Sequence, residues 1–316
     1  MKQIRKKIFI RADANEKIGY GHVIRCIALI DMIKDDYDCY FLIRSPSLKL
    51  TKQISEVCTG YYILSDFPDF LSEAKLIVNK YLNSDSIVIL DGQSFNTAYQ
   101  KIIKENDCCL ISIDDIHPYH FVSDAIINQI PIEIDSYNSE SYTRIYSGLE
   151  YSLLRKPFLE ASQKELKQLP EKPSNAFICF GGSDYFNLTS LALRSIINTI
   201  SIKKVHIVIG SGFNHLKELQ SLVINQNSKQ ISIYQDIDAL EIVEIIKLCD
   251  TAIVSASSVL IECIACGVSF VTGFYVDNQK DFMNFLIQNK LMSKEINFMN
   301  ISIDALSKII SEHKHF

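Results

Sequence analysis

Much is missing from this chain of 316 residues. Beyond its first seven residues no Lys/Arg block stands out, and acidic side chains outnumber basic ones by 37 to 32. Nucleic-acid binding needs a dense basic footprint, so a nucleic-acid partner is not expected. No apolar run approaches the roughly 20 residues that span a bilayer. The basic start, Lys2 to Lys7, leads only into Ile8-Phe9-Ile10 before Arg11 and Asp13 intervene. That is too short for a signal-peptide core, so the expectation is a cytoplasmic protein without membrane insertion. There is no Walker A loop, no H-E-x-x-H helix, no short internal repeat and no low-complexity tract. The nine cysteines are odd in number and irregular in spacing, and most sit in apolar runs such as Phe177-Ile178-Cys179-Phe180. Free thiols in a reducing compartment explain them better than a disulfide framework does.

What is present is an ordinary globular composition, 47% hydrophobic and 22% charged. The length suits two domains of roughly 100–200 residues each. Short β-branched runs alternate with amphipathic segments. The first half has strand candidates at Lys7–Arg11, Cys39–Arg44, Tyr61–Leu64, Ser86–Leu90, Cys109–Ile113 and Ala125–Ile127. In the second half they fall at Ala176–Phe180, Lys204–Ile209, Ile231–Tyr234, Thr251–Ser255 and Ser269–Gly273. Near-continuous apolar strands alternating with helices predict parallel sheets covered on both faces, an α/β fold of two Rossmann-like doubly wound domains. Arg155 to Ser174 is rich in Lys, Glu and Gln and carries three prolines, a linker composition. The expected division is 1–155, a linker over 156–174, and a second domain over 175–300. Ligands of such sheets bind outside the C-terminal ends of the strands, so the loops there are the place to look.

Four loops stand out. The first strand runs into Arg11-Ala12-Asp13-Ala14-Asn15 and then Ile18-Gly19-Tyr20-Gly21-His22. Its glycines allow close approach of a ligand, and His22 at the start of a helix is placed to take a proton near neutral pH. Asp13 and Asn15 share the loop and can orient His22 or a ligand. The same pattern also serves a plain helix cap, and spacing alone does not choose. The second loop, Gly181-Gly182-Ser183-Asp184 with Asn187-Leu188, can present backbone N–H groups and a helix start to a diphosphate. It is equally a turn with Asn187 as N-cap. The third, Ser255-Ala256-Ser257-Ser258, again opens a helix, with Glu262 one turn on. A carboxylate there suits two ribose hydroxyls, and a capping carboxylate fits as well. The fourth, Tyr275-Val276-Asp277-Asn278-Gln279, offers amides, but a turn capped by Asp277 is the simpler reading.

Other signals carry less. Cys263-Ile264-Ala265-Cys266 lacks a second ligand pair and reads as core packing. His117-Pro118-Tyr119-His120 after Asp114-Asp115 reads as an exposed loop, because Pro118 disfavours a His-bearing helix. His206 reads as structural, and His313 and His315 lie in the tail.

Taken in order, these segments resemble one family: the UDP-2,4-diacetamido-2,4,6-trideoxy-β-L-altropyranose hydrolases of pseudaminic acid biosynthesis. The resemblance rests on Arg11-Ala12-Asp13-Ala14 with Gly19-Tyr20-Gly21-His22-Val23-Ile24-Arg25, on Gly148 to Phe158, on Gly181-Gly182-Ser183-Asp184 with Asn187-Leu188, on Ser257-Ser258 with Glu262, and on Asn278-Gln279. It implies the GT-B architecture, similar to the peptidoglycan N-acetylglucosaminyltransferase, with both domains facing a cleft and the tail over 301–316 returning to the first. It implies His22 as general base, with water attacking the anomeric carbon, release of UDP and inversion. Arg11, Asp13, Gly21, Gln93, Asn278 and Gln279 then belong to the sugar end, and Gly181, Gly182, Ser257, Ser258 and Glu262 hold UDP. No metal or other cofactor is implied. A UDP-sugar is the only partner expected, and a monomer is compatible with the pattern. One departure stands out: where the family has Asp-His-Tyr, this chain has Asp91-Gly92-Gln93. Ser94, Phe95 or Tyr99 are the candidates to replace that tyrosine. Two alternatives remain open, a GT-B glycosyltransferase using a UDP-sugar and a non-catalytic sugar-nucleotide binding protein.

Overall fold

The computed structural model describes residues 5–15, 19–65, 67–116, 118–165 and 167–313; Ile18, His117 and His315 lie outside the described residues. The chain divides into two compact units, Met1–Arg155 and Lys156–Phe316.

Among the described residues the first unit carries seven strands: β1 (Lys7–Ala12), β2 (Asp38–Arg44), β3 (Gly60–Leu64), β4 (Ile87–Asp91), β5 (Cys109–Ile113), β6 (Ala125–Asn128) and β7 (Arg144–Ser147). They form one parallel sheet in the order β3-β2-β1-β4-β5-β6-β7. Its helices are α1 (Gly21–Ile33), α2 (Leu48–Val57), α3 (Phe70–Tyr81) and α4 (Thr97–Lys104). The period of two along each strand sends neighbouring side chains to opposite faces. Ile8 and Ile10 of β1 therefore join Phe41 and Ile43 of β2 in one core, with Val23, Cys26 and Ile30 of α1 and Leu50 and Ile54 of α2. Phe9 and Leu42, one residue out of phase, join the opposite core with Ala74 and Ile77 of α3 and Tyr99 and Ile103 of α4. Burying each such Ile or Leu contributes roughly 1.5–3 kcal/mol, so both faces must be covered, as the unbroken apolar strands predict. The strand order reverses between β1 and β4. Register pairs Ala12 with Asp91 there, so the loops leaving both strands start side by side.

The second unit opens with α5 (Lys156–Ser162) and continues through β8 (Asn175–Cys179), α6 (Leu188–Ile197), β9 (Lys204–Ile209), α7 (Leu216–Ile224), β10 (Gln230–Gln235), α8 (Ala239–Lys247), β11 (Thr251–Ser255), α9 (Ser258–Ala265), β12 (Ser269–Gly273), α10 (Lys280–Gln288) and α11 (Ile303–Glu312). Its parallel sheet runs β10-β9-β8-β11-β12, reversing between β8 and β11. Helix α5 lies within the stretch read as linker; its Phe158 is fully buried, and it packs on α8 and α9. Pro157 sits in its first turn, where a missing N–H costs nothing. The tail helix α11 packs on α6, burying Leu306 and Ile310, and Ser307 donates to the Ser195 carbonyl at 2.7 Å.

Two loops at the C-terminal edge of this sheet touch through bare backbone. The Gly212 N–H donates to the Gly182 carbonyl at 3.2 Å. A Cβ on Gly210 would come within 2.6 Å of Gly182 Cα and closer still to its carbonyl oxygen. Gly210→Ala is therefore expected to destabilise the protein by about 1–3 kcal/mol through overpacking. A lowered urea midpoint at unchanged m-value would show it.

Candidate active site

His22 is the second residue of α1, and its helical neighbours Arg25 and Cys26 lie three and four positions on, hence on the same face. That face meets the end of β4. His22 Nδ1 lies 2.6 Å from Asp91 Oδ1. Arg25 reaches the same carboxylate with both prongs of its fork, Nε to Oδ2 and NH2 to Oδ1, each at 2.6 Å. The Cys26 thiol adds a contact to Oδ2 at 3.4 Å. Behind them Arg25 NH1 meets Asp115 Oδ2 at 3.4 Å. Asp91 has no exposed surface, whereas the His22 side chain keeps 13% of its own. Burial alone would raise the Asp91 carboxyl, yet the Arg25 guanidinium and His22 hold it well below the usual carboxylate range. Burial and the Asp91 charge push the Cys26 thiol up, so it stays a thiol. Asp91 and Arg25 belong to segments quoted from the sequence, but neither was given a role there. The signal available was an acidic residue ending a strand at the reversal of strand order.

Arg11 and Asp13 do something other than expected. Arg11, foreseen at the sugar end, is fully buried. Its guanidinium binds Asp13 with NH1 and NH2 at 2.6 Å each, and Glu73 with Nε at 2.8 Å and NH2 at 3.1 Å. Glu73 in turn accepts from Arg44 Nε at 2.5 Å and from the Tyr99 hydroxyl at 3.0 Å. The Asp13 carboxylate also takes the Arg44 N–H at 2.9 Å. A buried guanidinium needs its charge met, and two carboxylates meet it inside the unit rather than at a ligand. The candidates to replace the missing tyrosine turn inward too. Tyr99 is committed to Glu73, and Phe95, 3% exposed, lies under the Arg11 guanidinium at 5.1 Å. Gln93 and Ser94 are exposed in the turn after β4. Gly19 has φ +81, a conformation glycine adopts freely. Gly21 is exposed, and a Cβ there would meet nothing within 4 Å.

In the second unit the two helix starts differ. Asp184, not Asn187, caps α6: its carboxylate accepts from the Leu188 and Thr189 N–H groups at 2.8 Å each. Asn187 precedes the helix at φ 56 and gives no side-chain cap. Those two first-turn amides are thus already satisfied from within the unit. Helix α9 starts differently. Ser257 holds the N-cap position without a side-chain cap bond; its hydroxyl lies 3.0 Å from the Ser255 hydroxyl. Ser258 is the first helical residue, and Glu262, one turn further, is buried. In the loop after β12, Asn278 is half-buried. Gln279, foreseen facing the sugar, is instead buried, and its Oε1 accepts the Tyr275 N–H at 3.0 Å, closing the loop on itself. Asp277 is exposed and pairs with Lys280 at 2.7 Å. Cys263 is buried and Cys266 half-buried in α9 and its C-cap, as core packing requires; His206 stacks on Tyr234.

No family model matches the chain. It is 27% identical over 296 residues to the UDP-2,4-diacetamido-2,4,6-trideoxy-beta-L-altropyranose hydrolase of Campylobacter jejuni, covering 89% of this chain and 96% of that one. It is also 27% identical over 286 residues to an uncharacterized protein of Methanocaldococcus jannaschii, covering 87% of this chain; it spans only 57% of that relative's length. Among solved structures, MurG of Acinetobacter baumannii matches with a TM-score of 0.65 at 13% identity, over 97% of this chain and 90% of that one. The calicheamicin glycosyltransferase CalG4 matches with a TM-score of 0.61 at 10% identity, over 96% and 89%. The fold is that of the GT-B glycosyltransferases. Among the described residues no helix is long and apolar enough to cross a membrane.

The depressed pKa of Asp91 has a consequence for acid stability. Its stabilising contribution is complete above its unfolded value of roughly 3.9 and is lost as pH falls below that toward the folded value. Asp91→Asn is expected to flatten the decline of unfolding free energy between about pH 5 and about pH 3. Urea titrations across that range check the slope.

Proposed function

We propose that this protein hydrolyses a UDP-activated diacetamido-trideoxy sugar of the altrose series, in the manner implied for pseudaminic acid biosynthesis. The observation that carries the reading is His22 on the first turn of α1, beside a buried carboxylate at the reversal of strand order. A ring so anchored can remove a proton from water within hydrogen-bond reach. The water oxygen forms a bond to the anomeric carbon as the bond from that carbon to the diphosphate oxygen breaks. UDP leaves with the bonding pair, and the configuration inverts. The similarity to the Campylobacter hydrolase over nearly its whole length supports this reaction. The GT-B fold supports a nucleotide-sugar ligand.

The departing diphosphate is assigned to the start of α9 with Ser257 and Ser258, since that terminus lacks a side-chain cap and helix starts favour anions. Gly181 and Gly182 contribute backbone, and Glu262 is assigned to the ribose. Gln93, exposed after β4, and Asn278 are assigned to the sugar. The nine free thiols fit a cytoplasmic setting.

The purified chain should release UDP and the inverted free sugar from UDP-2,4-diacetamido-2,4,6-trideoxy-β-L-altropyranose, followed by NMR. His22→Gln should slow turnover by roughly 10²–10⁴-fold while UDP affinity stays nearly unchanged. Wild-type turnover in that variant would remove His22 from the mechanism. UDP binding without release, restored only by adding an acceptor alcohol, would make the protein a transferase instead.

A further inference from the structure

We propose that Asp91 and Arg25 are positioning residues that hold His22 as its Nδ1–H tautomer, leaving the Nε2 lone pair as the atom that takes the proton from water. The inference rests on the reading of His22 as the base and specifies how the fold arms it.

Two groups approach His22 Nδ1: Asp91 Oδ1 at 2.6 Å and Arg25 NH2 at 3.1 Å. They make opposite demands. A carboxylate only accepts, so it calls for a hydrogen on Nδ1. A guanidinium only donates, so it calls for a lone pair there. Geometry decides between them. One Arg25 NH2 hydrogen goes to Asp91 Oδ1 at 2.6 Å, and a ring nitrogen without a hydrogen would set its lone pair against that same oxygen's at 2.6 Å. The 3.1 Å approach to the ring follows from two donors converging on one oxygen. Nδ1 therefore carries the hydrogen and donates it to Asp91. A neutral imidazole has one N–H, so the lone pair falls to Nε2, away from the buried contact.

Arg25 does more than neutralise. Its fork takes both carboxylate oxygens and fixes the plane of Asp91, and the ring orientation follows from that plane. Asp115, touching Arg25 NH1 at 3.4 Å, holds the fork from behind. Neither Asp91 nor Arg25 presents appreciable surface, at 0% and 5% exposure, so neither is placed to bind substrate. Their effect reaches the reaction through His22.

The test is a two-bond ¹H–¹⁵N spectrum of the full-length ¹⁵N-labelled protein, with the His22 signals assigned by their loss in His22→Gln. At a pH where the ring is neutral, a protonated Nδ1 and an unprotonated Nε2 are expected. The reverse pattern overturns the proposal without any variant of the positioning pair. Asp91→Asn should move the ring toward the Nε2–H form and lower kcat by roughly 10²–10⁴-fold, as a wrong tautomer does elsewhere. Arg25→Lys, which keeps the charge but not the fork, should lower kcat and leave KM in place. It decides the matter if Asp91→Asn does not fold. Wild-type tautomer and turnover in both variants would overturn the positioning role. The hydrolase reading would then still stand on the loss of turnover in His22→Gln.

Discussion

A carboxylate without exposed surface ends β4, and a single guanidinium makes it tolerable. Everything near His22 follows from that contact. For Arg25 to meet both oxygens of Asp91, α1 must present residues 22, 25 and 26 to the sheet. For the helix to sit so, the loop before it must leave β1 beside β4, as the pairing of Ala12 with Asp91 ensures. Removing one partner of such a buried pair typically costs about 3–5 kcal/mol, because the other charge is stranded. The phase of one helix, the register of two strands and the attitude of one imidazole are thus a single constraint.

A second charged knot lies in the same unit, and it shows where sequence reading stops. Arg11 lies at the C-terminal end of β1, next to its last residue, so local pattern assigns it outward. Its partner Glu73 is 62 positions away in α3, and nothing in the neighbourhood of Arg11 announces it. Asp91 was obscured for the same reason, its contact with His22 spanning 69 positions. Apolar rhythm is local and was legible: the strands Lys204–Ile209, Thr251–Ser255 and Ser269–Gly273 fall where their β-branched runs lie. The edge strand Arg144–Ser147 was missed because only Ile145 in it is aliphatic. Helix α5 was missed because Pro157 and its charged surroundings read as linker. Long-range electrostatics chooses among local options, and a single chain does not print those choices side by side.

The helix starts of the second unit make the point in another way. Both follow a strand and a run of small residues. In one, Asp184 satisfies the first amides from within, and burial pushes its carboxyl up even as they bind it. In the other, Ser257 turns its hydroxyl toward Ser255. The difference lies in where one side chain points, and it decides whether the first amides of the helix are met by a carboxylate of the same chain segment.

The glycine contact between the loops after β8 and β9 reaches beyond stability. Where Gly210 lies against Gly182 there is no side chain to trim and no gap to fill. Neither loop can thicken at that point unless the other retreats. The pair behaves as one fixed wall with two sequence addresses, whose tolerated changes must arrive together.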